Sequence, residues 1–364
     1  MKYLLFIVFL FALTDGYAQY NTRECATIDT AADFLSTIPP SSLQRRAGRK
    51  VMKMYIVIYA DDNGTNQAIS EETLKSEILF TNTIFNQGDI CFVIAGIEFR
   101  NSTVYNNPVT DPGNTNYSSQ TVSDAFTVFI VRTIDGQTGN NGVFGWVPST
   151  PSSYMVTRTA GFGVRRTFVH EMGHGLGLHH TFKGTGNQAA DPGCHELVNG
   201  SNGSSCGDLV ADTPADPYVR CGDVISGCSF PYTAPACQDA NGSSYAPQMN
   251  NFMSYWPNFG CNRTVFTAGQ YDKMRTTIDN NPFLSSYIAP ATVVLTDGTV
   301  NSGTLNRAAE STILAGSFFG SGTYFINGSA KATLSAGTVT LTPGFTAAPA
   351  NTTGLTRIIA SSCQ

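Results

Sequence analysis

Four of the chain's five histidines lie within residues 170–180, which read HEMGHGLGLHH. On a helix, residues four apart share a face, so His170 and His174 can offer both imidazoles to one metal ion, with Glu171 beside them. Gly177 can adopt the positive φ that ends a helix and turns the chain, so that a third histidine returns to the same ion. Three histidines with an open position for water predict a catalytic zinc site.

The short pattern HExxH also occurs by chance on ordinary helices with core or surface histidines. The longer form HExxHxxGxxH fixes more positions, one of them a glycine with a steric reason. In the longer form the third ligand follows the glycine by three residues, which selects His180 over His179. We therefore expect His179 to be a wall or surface residue.

Residues 1–18 predict a secretory signal peptide, because Lys2 precedes an apolar run and small residues follow at Gly16 and Ala18. The run is too short to span a bilayer comfortably, and we find no other stretch that is long and apolar enough. We therefore expect an exported protein with no stable membrane insertion after signal removal. Only 13% of residues are charged and the net charge is −5, so nucleic acid is not an expected partner.

The remainder divides into three parts. Residues 19–50 are irregular and end in the basic cluster Arg45–Lys50, which predicts a pro-segment with a processing site; a solvated surface run is the alternative. Residues 51–288 carry strand and helix patterns, and residues 289–364 are rich in Thr, Gly, Ser, Ala and Val, which predicts a small β-rich module.

The strand and helix patterns predict an α/β domain, with a twisted sheet above the cleft that bears the histidines. Ser70 and Thr267 are the expected N-caps of two helices, the first near the start of the domain and the second near its end. The expected strands cover residues 55–59, 90–99, 126–134 and 154–156.

Nine cysteines are present, and six of them crowd into one loop-rich segment after the histidines. Those six are Cys194, Cys206, Cys221, Cys228, Cys237 and Cys261. In an exported chain they predict disulfides, since a long irregular segment needs covalent links and the spacings lack the paired CxxC of a second zinc site. Spacing alone does not give the connectivity.

Four motifs together resemble the pappalysin metzincins, which are secreted zinc endopeptidases. These motifs are HEMGHGLGLHHTF (170–182), GDLVADTP (207–214), NFMSY (251–255) and FTAGQ (266–270). The resemblance covers roughly residues 52–280 and is strongest in its second half. It implies a metzincin-type catalytic domain with a loop-rich C-terminal subdomain, a catalytic zinc ion, protein or peptide substrates, and Glu171 as the general base toward a metal-activated water. Separately, LTPGFTA (341–347) resembles the small β modules that end many exported Bacteroidetes proteins.

The resemblance also implies roles for individual residues. Met253 would pack beneath the metal, and Tyr255 would donate to the developing oxyanion, the alternative being a buried tyrosine with an ordinary hydrogen bond. Asp208 and Thr213 fall on positions that resemble calcium ligands, and oxygen ligands in a long loop suit a hard cation. The alternative there is turn chemistry ahead of Pro214.

The disulfides implied by the resemblance are Cys194 with Cys237 and Cys228 with Cys261, which leaves Cys206 with Cys221 as an additional bridge. Cys25 resembles the cysteine of related pro-segments, where a thiolate occupies the open zinc position and keeps the enzyme latent; Ala26 departs from that pattern by replacing a glycine. A Cys25–Cys91 disulfide is the alternative.

The competing function is an exported, adhesin-like binding protein that carries an inactive or latent metalloprotease scaffold. A zinc hydrolase that does not cut proteins is a third option. Because every position needed for the chemistry is present, we favour the endopeptidase. Relatives that select a basic residue after the scissile bond carry an acid beside the cysteine that follows the methionine turn. Residues 256–263 contain no acid, so we expect a neutral or apolar preference there.

Overall fold

The computed structural model describes most of residues 47–295 and parts of both termini. The described residues are 24–27, 34–39, 44, 47–109, 115–139, 142–163, 166–184, 194–218, 238–256, 261–295, 298–300, 304–309, 312–315, 324–328, 331–336, 338–341, 345–349, 355–360 and 363. The candidate signal peptide, residues 45–46 of the basic cluster, and Cys221, Cys228 and Cys237 lie outside them. Within these ranges, none of the helices has the length and apolar character that a bilayer crossing requires.

Five strands and five α-helices occur in the described part of residues 47–288. The strands are β1 Lys50–Ala60, β2 Ile90–Asn101, β3 Phe126–Val131, β4 Gly145–Trp146 and β5 Tyr154–Arg158. The helices are α1 Glu71–Phe85, α2 Thr103–Asn106, α3 Thr167–Gly175, α4 Ala268–Asn280 and α5 Pro282–Ser286.

The five strands form one sheet in the order β2-β1-β3-β5-β4. All neighbouring pairs are parallel except β4, which lies antiparallel to β5 at one edge. Helix α1 connects β1 to β2, because two parallel strands need a crossover between them. This mixed sheet confirms the predicted α/β fold class.

Strand β1 is buried on both faces, which explains its nearly continuous apolar sequence. One face joins the core under α1, α3 and α4, and the other joins a second core across the sheet. The predicted helix starts are confirmed: Ser70 accepts from the amide of Thr73 at 3.1 Å, and Thr267 and Gln270 form a capping box at the start of α4.

The C-terminal region is a parallel solenoid. Its strands are β6 Thr292–Leu295, β7 Gly298–Val300, β8 Thr304–Ala308, β9 Thr312–Ala315, β10 Tyr324–Gly328, β11 Lys331–Ala336, β12 Thr338–Leu341, β13 Phe345–Pro349 and β14 Leu355–Ala360. They form three sheets, β13-β10-β7, β14-β11-β8 and β12-β9-β6. Neighbouring strands in each sheet are therefore three strands apart along the chain. Leu305, Ile313, Ile326 and Leu334 are buried at its centre. The predicted all-β module is therefore a three-sided coil.

A disulfide between Cys91 and Cys363 joins this solenoid to strand β2. The Arg49 guanidinium donates to the carbonyl oxygen of Cys363 at 2.5 Å beside the bridge. The alternative Cys25–Cys91 disulfide is therefore wrong, and Cys25 carries a reduced thiol.

Two of the predicted disulfides are also wrong, one implied by the resemblance and one left as an additional bridge. Cys194 pairs with Cys206, not with Cys237, and Cys206 is consequently not bonded to Cys221. The segment between them folds back so that the amide of Gly207 donates to the Cys194 carbonyl, which leaves the two cysteine Cα atoms 5.0 Å apart, within bridging range. Cys261 is disulfide-bonded as well, and Cys228, its expected partner, lies outside the described residues.

Candidate active site

Helix α3 is fully buried and carries His170 and His174, which lie one turn apart. The helix ends at Gly175, and Gly177 then has a φ of +100°. A Cβ at Gly177 would lie 2.7 Å from the Thr277 hydroxyl, so both the backbone angle and the packing favour glycine there. This turn brings His180 back against the helix.

The three histidine side chains converge. Nε2 of His174 lies 3.2 Å from Nε2 of His170 and 3.0 Å from Nε2 of His180. Nδ1 of His170 donates to the Phe252 carbonyl at 2.6 Å, and Nδ1 of His174 donates to the Leu178 carbonyl at 2.7 Å. Each of these two imidazoles, when neutral, then has an unprotonated Nε2 that faces the cluster.

These nitrogen atoms fit a metal ion. Lone pairs that face one another at about this distance repel unless a cation lies between them, and neutral imidazoles are the form that binds metals. Burial lowers the pKa of His170 well below its ordinary value, and the charge of Arg263 adds to this effect. Three imidazoles with space for a fourth ligand suit zinc. His179 is also buried, but it is not among the groups that converge in the described residues.

Glu171 lies beside the cluster with its carboxylate fully buried. Its Oε2 accepts from the Cys25 thiol at 3.3 Å and from the Thr27 hydroxyl at 3.1 Å. Its Oε1 accepts no hydrogen bond from the described residues. Burial raises the pKa of Glu171 to about 8, although the hydrogen bonds from Cys25 and Thr27 oppose that rise.

Met253 and Tyr255 lie on the segment that passes beneath and beside the histidines. Met253 is buried against α3, where a Cβ added to Gly173 would lie 2.6 Å from its sulfur. The ring of Tyr255 packs on His180 with centroids 4.8 Å apart, and its hydroxyl donates to the Cys25 carbonyl at 3.0 Å.

Residues 24–27, which we call the cleft segment, lie across this site as an added edge to the sheet. Cys25 pairs in parallel with Gly145 of β4, and the amide of Ala26 donates to the Gly145 carbonyl at 3.0 Å. Ligand atoms of Cys25 and the three histidines all lie within 4.8 Å of one another. Burial, and next the Glu171 carboxylate, raise the pKa of the Cys25 thiol well above its ordinary value.

Asp216 is a positioning residue that the sequence did not indicate. Its buried carboxylate accepts from the hydroxyls of Thr181 at 2.6 Å and Ser254 at 2.8 Å, and from the Trp256 indole at 3.0 Å. Asp216 therefore links the segment that follows His180 to the segment that follows Met253. No local motif marks such a contact, because its partners are distant in the chain.

The candidate calcium residues Asp208 and Thr213 meet, with the threonine hydroxyl donating to Asp208 Oδ1 at 3.1 Å. The same oxygen accepts from the amide of Val210 at 3.0 Å, which is the turn chemistry of the alternative interpretation. Sequence reasoning missed Glu196, which is 1% exposed and whose Oε2 has no hydrogen-bond partner among the described residues. Burial, and then the charge of Asp208, raise the pKa of Glu196 to about 8.

Comparisons with known proteins point to one family. The family model described as pregnancy-associated plasma protein-A, a peptidase family, matches residues 123–279. An extracellular metalloprotease of Verticillium alfalfae is 25% identical over 239 residues, which are 62% of this chain and 75% of the relative. Human pappalysin-1 is 34% identical over 122 residues, which are 32% of this chain but 6% of that much longer protein.

A solved structure of Tannerella forsythia mature mirolysin, in complex with a cleaved peptide, is similar with a TM-score of 0.45 and 17% identity. The similarity covers 67% of this chain and 100% of that one.

Proposed function

The chain belongs to the pappalysin family of metalloendopeptidases, and from that premise we propose that it is an exported zinc endopeptidase in which Glu171 is the general base. The convergence of three imidazole nitrogens beside a buried carboxylate carries the proposal. His170, His174 and His180 would hold the ion.

Zinc, when bound, supplies Lewis-acid activation of a water molecule and of the scissile carbonyl. Glu171 takes the proton from the attacking water on a carboxylate oxygen and passes it to the leaving amine. Its position supports this role, because the buried carboxylate lies beside the three imidazoles and its Oε1 accepts no hydrogen bond from the described residues. Tyr255 donates its hydroxyl hydrogen to the carbonyl oxygen of the substrate, as it does to the Cys25 carbonyl.

Hydrolysis of an unfolded protein by the processed chain tests this proposal. Glu171→Gln should lower kcat at least about 100-fold, because the base is lost, with zinc content unchanged. Glu72→Gln is the matched control, since it makes the same substitution at an exposed position of α1. A parent protein that binds zinc and cuts nothing after its cleft segment is removed would overturn the proposal and favour a binding scaffold.

Export as a latent precursor is the second part of the proposal. The names of the relatives, which are extracellular metalloproteases, support export. The cleft segment supports latency, because Cys25 fills the space beside the histidines and its thiol and Thr27 both donate to the general base. A substrate carbonyl cannot reach Tyr255 while the Cys25 carbonyl is bound there. Removal of this segment would open the cleft.

A structural calcium ion is the third part. Glu196 supports it, because a buried carboxylate oxygen without a hydrogen-bond donor in a loop with another carboxylate favours a cation. Asp208 and Thr213 would supply further oxygen ligands. Asp212, from the same motif, is engaged elsewhere: its carboxylate accepts from the Thr267 hydroxyl at 2.7 Å and from the amide of Gly269 at 2.8 Å at the start of α4.

A further inference from the structure

A buried ion pair links the cleft segment to the body of the protein. Arg263 Nη2 lies 2.8 Å from Glu24 Oε2, and the two side chains are 0% and 2% exposed. Removing one partner of such a desolvated pair strongly destabilises the folded protein, because a buried charge is left uncompensated. Glu24 belongs to the segment that must leave before a substrate can bind, whereas Arg263 stays.

The Arg263 guanidinium also contacts the body of the protein. Its Nε donates to the Ser254 carbonyl at 2.9 Å, and Nη2 donates to the same oxygen at 2.6 Å. Ser254 lies between Met253 and Tyr255, and all three are buried. The methionine turn therefore gives the cation contacts that the departure of the cleft segment does not remove.

Glu24 also lies close to the reacting centre. It precedes Cys25, whose sulfur lies in the histidine cluster, and the Glu24 carbonyl accepts from the amide of Phe144 at 2.7 Å, next to β4. The segment thus holds an extended backbone against the sheet edge while a carboxylate reaches Arg263. A peptide substrate must take an extended course through the same cleft.

We propose that Arg263 selects an acidic side chain in the substrate, at a residue adjacent to the scissile bond, by pairing with it as it pairs with Glu24. This inference rests on the proposed endopeptidase function. A basic side chain at this position would add repulsion, whereas a glutamate or aspartate restores the ion pair.

An acidic preference differs from the neutral or apolar preference expected after the scissile bond from the absence of an acid in residues 256–263. That expectation considered only what could attract a basic side chain. The same stretch ends in an arginine, and its burial beside the cleft is visible only once the chain is folded.

The first experiment uses the unmodified, processed enzyme, so it does not depend on a variant that folds. Cleavage sites in an unfolded protein are mapped by mass spectrometry, and a synthetic peptide around a preferred site is then compared with its Glu→Gln counterpart. We expect kcat/KM to fall about 10- to 100-fold, the range for losing a charged hydrogen bond in a desolvated site. A Glu→Gln change several residues away in the same peptide is the control and should have little effect.

The second experiment compares Arg263→Lys with Arg263→Met on the same two peptides, with zinc content as a check on folding. The lysine variant should keep a preference for the glutamate peptide, and the methionine variant should lose it. Equal cleavage of both peptides by the parent enzyme would overturn the inference while leaving the endopeptidase function intact. Failure of the parent to cleave any peptide, with no difference from Glu171→Gln, would instead overturn the proposed function and the inference with it.

Discussion

The side chains of the histidine cluster owe their geometry to backbone carbonyls contributed by different segments. The Phe252 carbonyl fixes the ring of His170, and the Leu178 carbonyl fixes the ring of His174. Such contacts set the tautomer and orientation of each imidazole before any ion arrives. Glu171, by contrast, is held by Cys25 and Thr27 of the cleft segment, so its partners change when that segment leaves.

Cys25 is the residue at which latency is most directly tested. A hydroxyl is a much poorer metal ligand than a thiolate, so Cys25→Ser should weaken the hold of the cleft segment on the site. We expect the unprocessed variant to cleave a fluorogenic peptide at least about tenfold faster than the unprocessed parent, the factor produced by a loss of about 1.4 kcal/mol of binding. Zinc content should be equal in both.

Thr37→Ala is the control for this experiment, because Thr37 lies in the same predicted pro-segment, is exposed, and donates locally to the Phe34 carbonyl. It should leave the unprocessed chain as inactive as the parent. If Cys25→Ser is equally inactive, the backbone contacts of the cleft segment block the cleft without help from the thiol.

The loop that follows α3 is the part of the fold that should be stabilised by a bound calcium ion. Glu196→Gln removes the charge of a buried carboxylate that we assign to calcium. In the parent, calcium at about 100 times its Kd should stabilise the fold by about 2.7 kcal/mol and raise Tm by roughly 5–10 °C. The variant should lose most of this rise, measured by thermal unfolding with calcium and with a chelator.

Asp212→Asn separates a calcium effect from general destabilisation. It weakens the contacts that Asp212 makes at the start of α4, so its Tm should be lower at every calcium concentration. Its calcium-dependent rise should nevertheless match that of the parent. Equal calcium responses in Glu196→Gln and the parent would remove Glu196 from the site.

Elements with local signals were predictable from sequence, and long-range contacts were not. The caps at Ser70 and Thr267 gave the starts of α1 and α4, since capping depends on residues within one turn. The two-residue strand β4 carries no periodicity of its own and exists through its pairing with β5. Likewise, the Cys194–Cys206 bridge follows from a turn that spacing does not encode, and the Arg263–Glu24 pair joins the predicted pro-segment to the second half of the domain.

The whole molecule combines the α/β sheet with a solenoid that lies against its outer strand. Strand β2 is at the edge of the sheet, and β8 and β11 of the solenoid contact it. Ala308 and Cys363 of the solenoid region join the same core as residues 91, 93 and 95 of β2, so this region covers apolar surface of the strand. The Cys91–Cys363 bridge, which spans 272 residues, makes the arrangement covalent.

Removing that bridge should therefore affect both parts of the protein. Because a disulfide that closes a long loop restricts the unfolded chain strongly, Cys91→Ala/Cys363→Ala should lower the free energy of unfolding by about 2–5 kcal/mol. Alanine is preferred to serine, since a serine hydroxyl at these buried positions would require a hydrogen-bond partner. Urea unfolding measures the stability, and limited proteolysis should detect earlier cleavage within residues 289–364.

The control is Cys194→Ala/Cys206→Ala, which opens a loop with a sequence separation of 12. It should lower the free energy of unfolding by less and should not expose the solenoid to protease. A solenoid that stays resistant to protease in the first variant would mean that its non-covalent contacts with β2 are sufficient to hold it.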